Sequence, residues 1–300
     1  MHLGEEAALA DFVRVFEIGR RGIRVLGGPV TDDEKGAGRL WRDGHAPNLA
    51  GVGRNARPGV VGIWELQIGR SVSDCGVLFQ KLQLWVDEEK RPGPEAMAVD
   101  EWLLETVVCP VLRVYPWEGT WGSLGYFGKI AEARELFPEL SWVRRWTGGG
   151  LVDHRSDWTY TLVVPSGESL ATTRGADSYQ MIHEILMEVL QLERIEARIS
   201  DGNQTTGANA CFENPVAHDL LGQGGRKLAG AGQRRSKTGL LHQGSVASPC
   251  GGAGENLQRA ECFAAHLGSS WESFAGEPSR TDLERRVVAR YARSEWLERR

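Results

Sequence analysis

Residues 144–154 read RRWTGGGLVDH and form the most informative stretch of the chain. An apolar run at residues 140–146 predicts a strand, and the chain then continues into Gly148, Gly149 and Gly150. Glycine adopts positive φ at little cost and carries no side chain, so a ligand can lie directly against the main chain. The stretch therefore predicts a strand followed by a ligand-binding turn.

A second stretch, at residues 225–235, reads GRKLAGAGQRR. Lys227 is set among small residues, so its ammonium group can reach into a site that no bulky side chain fills. Taken alone, a lysine is more often a solvated surface charge, and three glycines often make only a tight turn. Together they offer what a protein needs to hold an acyl chain and polarise its carbonyl group.

Both stretches resemble the lipoate–protein ligase and octanoyltransferase family, which shares its catalytic fold with the biotin–protein ligases. The resemblance covers about residues 82–248. It departs from the family at His242 and Gln243, where the family usually has the reverse order, Gln-His. The other matching segments follow in the family's order at residues 97–104, 113–117, 123–127, 157–161, 211–215 and 241–246.

The resemblance implies an α+β fold of the biotin/lipoate protein ligase type, with mixed, largely antiparallel sheets and flanking helices. We predict a catalytic domain at residues 81–250 and a C-terminal helical tail at residues 251–300. Residues 1–80 are predicted to be a poorly ordered extension, because residues 1–78 are rich in glycine. One amphipathic helix is expected within it, at residues 5–18.

The resemblance also implies roles for individual residues. Lys227 would hold the carbonyl group of the bound acyl chain, and Cys211 would carry that chain as a thioester. A lone cysteine is otherwise most often a small buried hydrophobic residue. The predicted substrate-binding residues are Arg145, Thr147, Gly148, Gly149, Gly150, His154, Gly230 and Gln233.

The function that the resemblance implies is transfer of an octanoyl or lipoyl group to a lysine of lipoyl domains or of a glycine cleavage H-type protein. The donor would be octanoyl-acyl carrier protein or another acylated carrier, and no cofactor would be needed. One alternative is a lipoate–protein ligase that uses ATP and Mg²⁺; the short stretch after Ser248 and the presence of Cys211 count against it. A biotin ligase lacks support because its Gly-Arg-Gly-Arg-type loop is missing. The last alternative is a non-catalytic lipoyl-binding scaffold.

Composition limits the other functional classes. The chain has 300 residues and a net charge of −5, which argues against generic nucleic-acid binding. No apolar run approaches the ~18 residues of a membrane span, and no secretory signal is visible, so we expect a cytoplasmic protein. The cysteines form no Cys-x-x-Cys pair, and their odd number predicts free thiols and no metal site; they are Cys75, Cys109, Cys211, Cys250 and Cys262.

Overall fold

The computed structural model describes residues 15–19, 22–26, 76–202 and 215–299, and the chain divides into two compact units, Met1–Gly69 and Arg70–Arg300. In the first unit, strands β1 (Val15–Gly19) and β2 (Gly22–Leu26) pair antiparallel. The helix predicted at residues 5–18 is therefore wrong for its last turn, because this stretch is rich in β-branched and aromatic residues that favour strands. Residues 5–14 lie outside the described residues.

The second unit contains two mixed sheets. Their strands are β3 (Leu82–Val86), β4 (Val111–Tyr115), β5 (Trp121–Leu124), β6 (Ser141–Arg144), β7 (Leu151–Asp153), β8 (Trp158–Pro165), β9 (Arg198–Ile199), β10 (Leu220–Leu221), β11 (Lys227–Arg235), β12 (Gly239–Val246) and β13 (Trp271–Ser273). The larger sheet has the order β13-β3-β4-β8-β12-β11-β10-β9, and the smaller has the order β6-β5-β7. Among the strands that the structure describes in this unit, only the pairs β13–β3, β3–β4 and β5–β6 are parallel.

Helices cover both faces of the larger sheet. They are α1 (Gly93–Thr106), α2 (Ile130–Leu136), α3 (Ser169–Thr172), α4 (Gly175–Leu192), α5 (Ala253–Leu267), α6 (Arg280–Arg286) and α7 (Ser294–Leu297). Leu186 of α4 and Phe263 of α5 pack against Leu162 of β8 on one face, and α1 packs with Val163 and Leu241 on the other. Strand β8 is consequently buried along nearly its whole length.

The predicted α+β fold with mixed, largely antiparallel sheets is confirmed. The glycines at positions 119, 122 and 125 predict a turn-rich connection at residues 119–125, but this stretch contains β5. Strand β5 is short, and its Gly122 is needed because a Cβ there would lie 2.6 Å from the Trp142 ring. Within the predicted C-terminal helical tail, the periodicity of residues 281–297 predicts one helix, but this stretch is divided into α6, a π-helical turn (Val287–Tyr291) and α7.

Both ends of the second unit contribute to its folded core. Phe79 is buried in the core beside α5, so the folded unit begins before residue 81. Residues 251–300 are mainly helical, yet they also add β13 to the edge of the larger sheet. Among the described residues, no helix is both long and apolar enough to cross a membrane.

Candidate active site

A pocket lies between the two sheets and encloses about 460 Å³ of empty space, part of it open to solvent. Its wall combines glycine backbone, an apolar surface and a few polar side chains. The lining residues are Met97, Tyr115, Trp117, Ser123, Arg145, Gly149, Gly150, Val152, His154, Thr159, Lys227, Gly230, Ala231, Gly232, Gln243, Gly244 and Ser245. The two stretches singled out in the sequence therefore meet in one cavity.

Arg145 fixes the turn formed by residues 148–150, the glycine turn, through hydrogen bonds to its backbone. Its Nη2 donates to the carbonyl oxygens of Gly148, at 3.2 Å, and Gly150, at 3.0 Å. Its Nη1 donates to the Oγ of Ser123 at 2.6 Å. Gly149 adopts φ +94°, a conformation that side-chain-bearing residues rarely take. The turn is thus fixed by a buried guanidinium group and by a backbone conformation suited to glycine.

Two more glycines allow other strands to approach this turn. A Cβ at Gly125 would lie 1.9 Å from the carbonyl oxygen of Gly149, and a Cβ at Gly232 would lie 2.3 Å from that of Gly148. Neither distance is compatible with a side chain, so both positions require glycine. The Gly-rich pattern of residues 225–235 consequently reflects close backbone packing as well as ligand access.

Lys227 begins β11 and forms an ion pair at the pocket wall. Its Nζ lies 2.7 Å from the Oδ2 of Asp219, and the side chains are 5% and 0% exposed, respectively. Asp219 also accepts hydrogen bonds from the hydroxyl of Tyr179, at 2.5 Å, and from the backbone N–H of Val216, at 2.7 Å. Burial, together with the Asp219 carboxylate, raises the pKa of Tyr179 well above its usual value. Tyr179 therefore remains a neutral hydrogen-bond donor.

His154 is held between a hydroxyl group and a carboxylate. Its Nε2 lies 2.6 Å from the Oγ of Ser123, and its Nδ1 lies 2.8 Å from the Oδ2 of Asp157. The ring stacks on Trp117 with a centroid distance of 4.0 Å. Asp157 also accepts from Ser245 at 2.5 Å. These contacts fix the orientation of the imidazole ring, which forms one rigid wall of the pocket.

A buried polar network lies beneath the pocket. Thr147 donates to Gln243 at 2.8 Å, and Gln243 donates to Asp100 at 2.6 Å. Asp100 accepts from Arg113 at 2.7 Å, and Arg113 also pairs with Asp87 at 2.8 Å. All five residues are buried. The network joins the end of the glycine turn to α1 and to the centre of the larger sheet.

The predicted substrate-binding residues divide into two groups. Arg145, Gly149, Gly150, His154 and Gly230 line the pocket, whereas Thr147, Gly148 and Gln233 do not; Lys227, predicted to be catalytic, also lines it. Gln233 instead faces away and contacts the Nδ1 of His242 at 3.1 Å.

Cys211 lies outside the described residues, so its nucleophilic role stays a prediction. Sequence reasoning missed Asp219 and Tyr179, because no motif links them to Lys227. Among the described residues, no three His, Cys, Asp or Glu side chains form a cluster that could hold a metal ion.

Comparison with known proteins agrees with the geometry. A curated octanoyltransferase LipM from Carboxydothermus hydrogenoformans is 34% identical over 178 residues, covering 55% of this chain and 65% of that protein. Octanoyltransferase LipM from Symbiobacterium thermophilum is 32% identical over 176 residues, covering 54% of this chain and 63% of that protein. The chain thus spans less than two thirds of the length of these relatives.

Solved structures share the fold at lower identity. A lipoate-protein ligase A bound with ATP superimposes with a TM-score of 0.56 at 17% identity, covering 73% of this chain and 98% of that chain. A bi-partite lipoate protein ligase from Thermoplasma acidophilum gives a TM-score of 0.56 at 15% identity, covering 73% and 97%. The family model for the lipoyl protein ligase A/B catalytic domain matches residues 92–257, more than half of the chain. The chain therefore belongs to the lipoyl protein ligase A/B catalytic domain family.

Proposed function

We propose that this protein transfers an octanoyl or lipoyl group to a lysine of a lipoyl-carrier domain. The observation that carries the proposal is the meeting of Lys227 and the glycine turn in one pocket. A fixed cation near an acyl carbonyl stabilises the negative charge that develops on its oxygen during acyl transfer. The names of the curated relatives, octanoyltransferase LipM, support the same reaction class.

The pocket suits an unbranched acyl chain. Met97, Trp117 and Val152 provide apolar surface, and the backbone at Gly149 and Gly150 leaves room for a ligand to lie close to the main chain. Burial of each methylene group contributes about 0.8 kcal/mol to binding. A medium-length chain with a carbonyl at one end therefore matches a cavity that is apolar on one side and cationic at Lys227.

The proposed chemistry proceeds in two steps through Cys211. The Cys211 thiolate attacks the donor thioester, a new C–S bond forms, and the donor thiol leaves. The amine of the acceptor lysine then attacks the enzyme thioester, forming an amide and releasing the Cys211 thiol. Lys227 faces the oxyanion in both steps. We propose octanoyl-acyl carrier protein as donor, lipoyl domains or an H-type protein as acceptors, and no cofactor.

The decisive experiment is an intact-mass measurement. Purified protein incubated with octanoyl-acyl carrier protein, without ATP, should gain one octanoyl unit that hydroxylamine removes, and a lipoyl domain added afterwards should accept it. Cys211→Ser should form no such adduct. Cys109→Ser is the matched control, because Cys109 is a free, partly exposed cysteine that does not line the pocket. Normal transfer by Cys211→Ser would exclude the covalent step.

The ATP-dependent lipoate ligase is the alternative that the family leaves open. It would make the same amide from free lipoate through an acyl-adenylate, and Lys227 would then face phosphate as well as the carbonyl. Strict dependence of lipoyl-domain modification on ATP and free lipoate would favour this reading. Tight binding of lipoate or octanoate without any transfer would instead identify a non-catalytic scaffold.

A further inference from the structure

A lysine in an acyl-transfer pocket creates a chemical conflict. The neutral amine of Lys227 could attack the acyl donor itself: a C–N bond would form, the C–S bond would break, and the departing thiolate would take the proton from nitrogen. The product would be a stable amide on Lys227, and the enzyme would be inactivated. An ammonium ion has no lone pair and cannot make this attack, so an ion pair that engages the Lys227 amine is a feature that protects the enzyme.

The surroundings of Lys227 provide such a feature. Asp219 is fully buried, and its carboxylate lies 2.7 Å from the Lys227 Nζ. The same carboxylate accepts from Tyr179 and Val216, so it is fixed by donors from a helix and from its own turn. A buried, hydrogen-bonded carboxylate next to an amine favours the charged form of the amine, whereas burial without a counter-ion favours the neutral form.

The position of the lysine is also fixed. A Cβ at Gly230 would lie 2.6 Å from the Lys227 Cε, 2.7 Å from its Nζ and 3.0 Å from the Asp219 Oδ1. Gly230 therefore lets the lysine side chain lie over β11 toward Asp219. Tyr179 completes the arrangement, because its hydroxyl accepts from the backbone N–H of Ala231 at 2.8 Å while it donates to Asp219.

We propose that Asp219, fixed by Tyr179, engages the Nζ of Lys227 in a buried ion pair and thereby prevents the acyl donor from acylating this lysine. Asp219 and Tyr179 are positioning residues, since they act through Lys227. The inference rests on the proposed acyl transfer, because only an activated acyl group makes a nearby amine vulnerable.

The test compares wild type with Asp219→Asn, a nearly isosteric change that removes the charge. Both proteins are incubated with the octanoyl thioester of N-acetylcysteamine at pH 8 and then treated with hydroxylamine. Asp219→Asn should accumulate a hydroxylamine-resistant octanoyl adduct on Lys227, located by peptide mapping, at least about tenfold faster than wild type. A purely structural role for Asp219 would not produce an amide at this lysine.

Controls separate this effect from general reactivity. Asp177→Asn removes an exposed aspartate from the same helix as Tyr179 and should behave as wild type. Asp219→Asn combined with Lys227→Met should lose the resistant adduct. Tyr179→Phe, which keeps the carboxylate but removes one of its donors, should give a smaller increase and provides a second variant if Asp219→Asn folds poorly.

The outcome can be distinguished from failure of the proposed function. The hydroxylamine-sensitive adduct reports on the proposed thioester, and the resistant adduct reports on Lys227. If wild type forms no thioester, the octanoyl ester of N-hydroxysuccinimide acylates amines directly and still measures the reactivity of Lys227. Equal acylation of Lys227 in folded wild type, Asp219→Asn and Tyr179→Phe would overturn the inference.

Discussion

Gly232 and Gly148 are partners in one backbone contact, but only one of them requires glycine. A Cβ at Gly232 would lie 2.3 Å from a carbonyl oxygen, whereas a Cβ at Gly148 would have nothing within 4 Å. Gly148 also has no positive φ. A methyl group added at Gly232 would therefore clash with the backbone, whereas one added at Gly148 would not.

Gly232→Ala should destabilise the second unit by roughly 1–3 kcal/mol, the usual cost of overpacking against backbone. Gly148→Ala is the matched control and should change the free energy of unfolding by less than about 0.5 kcal/mol. Urea denaturation of both variants measures the difference. Equal losses would show that the turn is sensitive to any side chain, which the described contacts do not predict.

The buried side chain of His183 makes the stability of the protein depend on pH. Burial lowers its pKa from 6.5 to about 4 in the folded protein. Between these two values the unfolded chain binds more protons, so stability is full above pH 6.5 and falls as the pH drops toward 4. Lowering the pH from 7.5 to 5.0 should cost about 2 kcal/mol through this residue alone.

Urea midpoints at the two pH values test this expectation, and His183→Gln should show a smaller loss on acidification. The comparison at pH 7.5 serves as the reference, because both proteins then carry a neutral side chain at position 183. An unchanged pH dependence in the variant would mean that other buried groups cause the loss. His242 is one such group, since burial also lowers its pKa well below the usual value.

The residues of the site differed in how well they could be predicted. Lys227 and the glycine turn lie in local patterns that a ligand-binding function requires, and both were found from the sequence. Asp219 and Tyr179 lie 8 and 48 positions before Lys227. Their contact depends on how α4 packs against the larger sheet, which no local pattern encodes. The hydrogen bonds of Arg145 to Ser123 and to the glycine turn also follow only from tertiary structure.

At the scale of elements, strand β12 shows which of His242 and Gln243 faces the pocket. Neighbouring residues of a strand face opposite sides of a sheet. Gln243 faces the pocket and contacts Thr147, whereas His242 faces the other side and lies 3.1 Å from the Tyr160 hydroxyl. The reversed order therefore presents an amide to the pocket, where the usual family order would present an imidazole.

Long periodic segments were predicted well, and short or tertiary-dependent ones were not. The sequence predicts strands at residues 82–86 and 239–246, and β3 and β12 have these bounds. Strand β13 has three residues, only partly buried or exposed, so no apolar run marks it. It forms because α5 delivers the chain to the free edge of β3, which is a property of the fold.

Arg144 connects the C-terminal helix to the loop beside the glycine turn. Its buried guanidinium donates to the carbonyl oxygens of Gly125, Tyr126 and Gly128 at 2.8–3.1 Å, and to those of Leu297 and Arg299 at 2.7 and 2.8 Å. Because Gly125 lies against Gly149, Arg144 links the C-terminal segment to the pocket wall.

Arg144→Lys should cost about 2–3 kcal/mol of stability, since lysine has three donors and leaves buried carbonyl groups unsatisfied. Arg155→Lys is the matched control: its side chain is 39% exposed, so the change should stay within about 0.5 kcal/mol. Thermal and urea unfolding measure both. A cost for Arg144→Lys no larger than for Arg155→Lys would show that α7 is not held by this residue.

At the scale of the whole molecule, the position of Phe79 decides where the chain can be shortened. The unit boundary falls between Gly69 and Arg70. Leu78 and Phe79 donate backbone hydrogen bonds to the carbonyl of Leu267 at the end of α5, and the Phe79 side chain is 1% exposed. A truncation after residue 69 therefore keeps these contacts, whereas a truncation after residue 79 removes part of the core.

Removal of residues 1–69 should leave the unfolding free energy of the second unit unchanged within about 0.5 kcal/mol, because none of the core residues that the structure describes precedes Phe79. Removal of residues 1–79 should cost about 3–5 kcal/mol, the range for deleting a buried phenylalanine side chain. Phe79→Ala in the full chain separates the side chain from the backbone pairing and should account for most of that loss. Urea unfolding of the three proteins gives the comparison. If the shorter deletion already destabilises the protein as much as the longer one, residues 1–69 support the core and the division into two units fails.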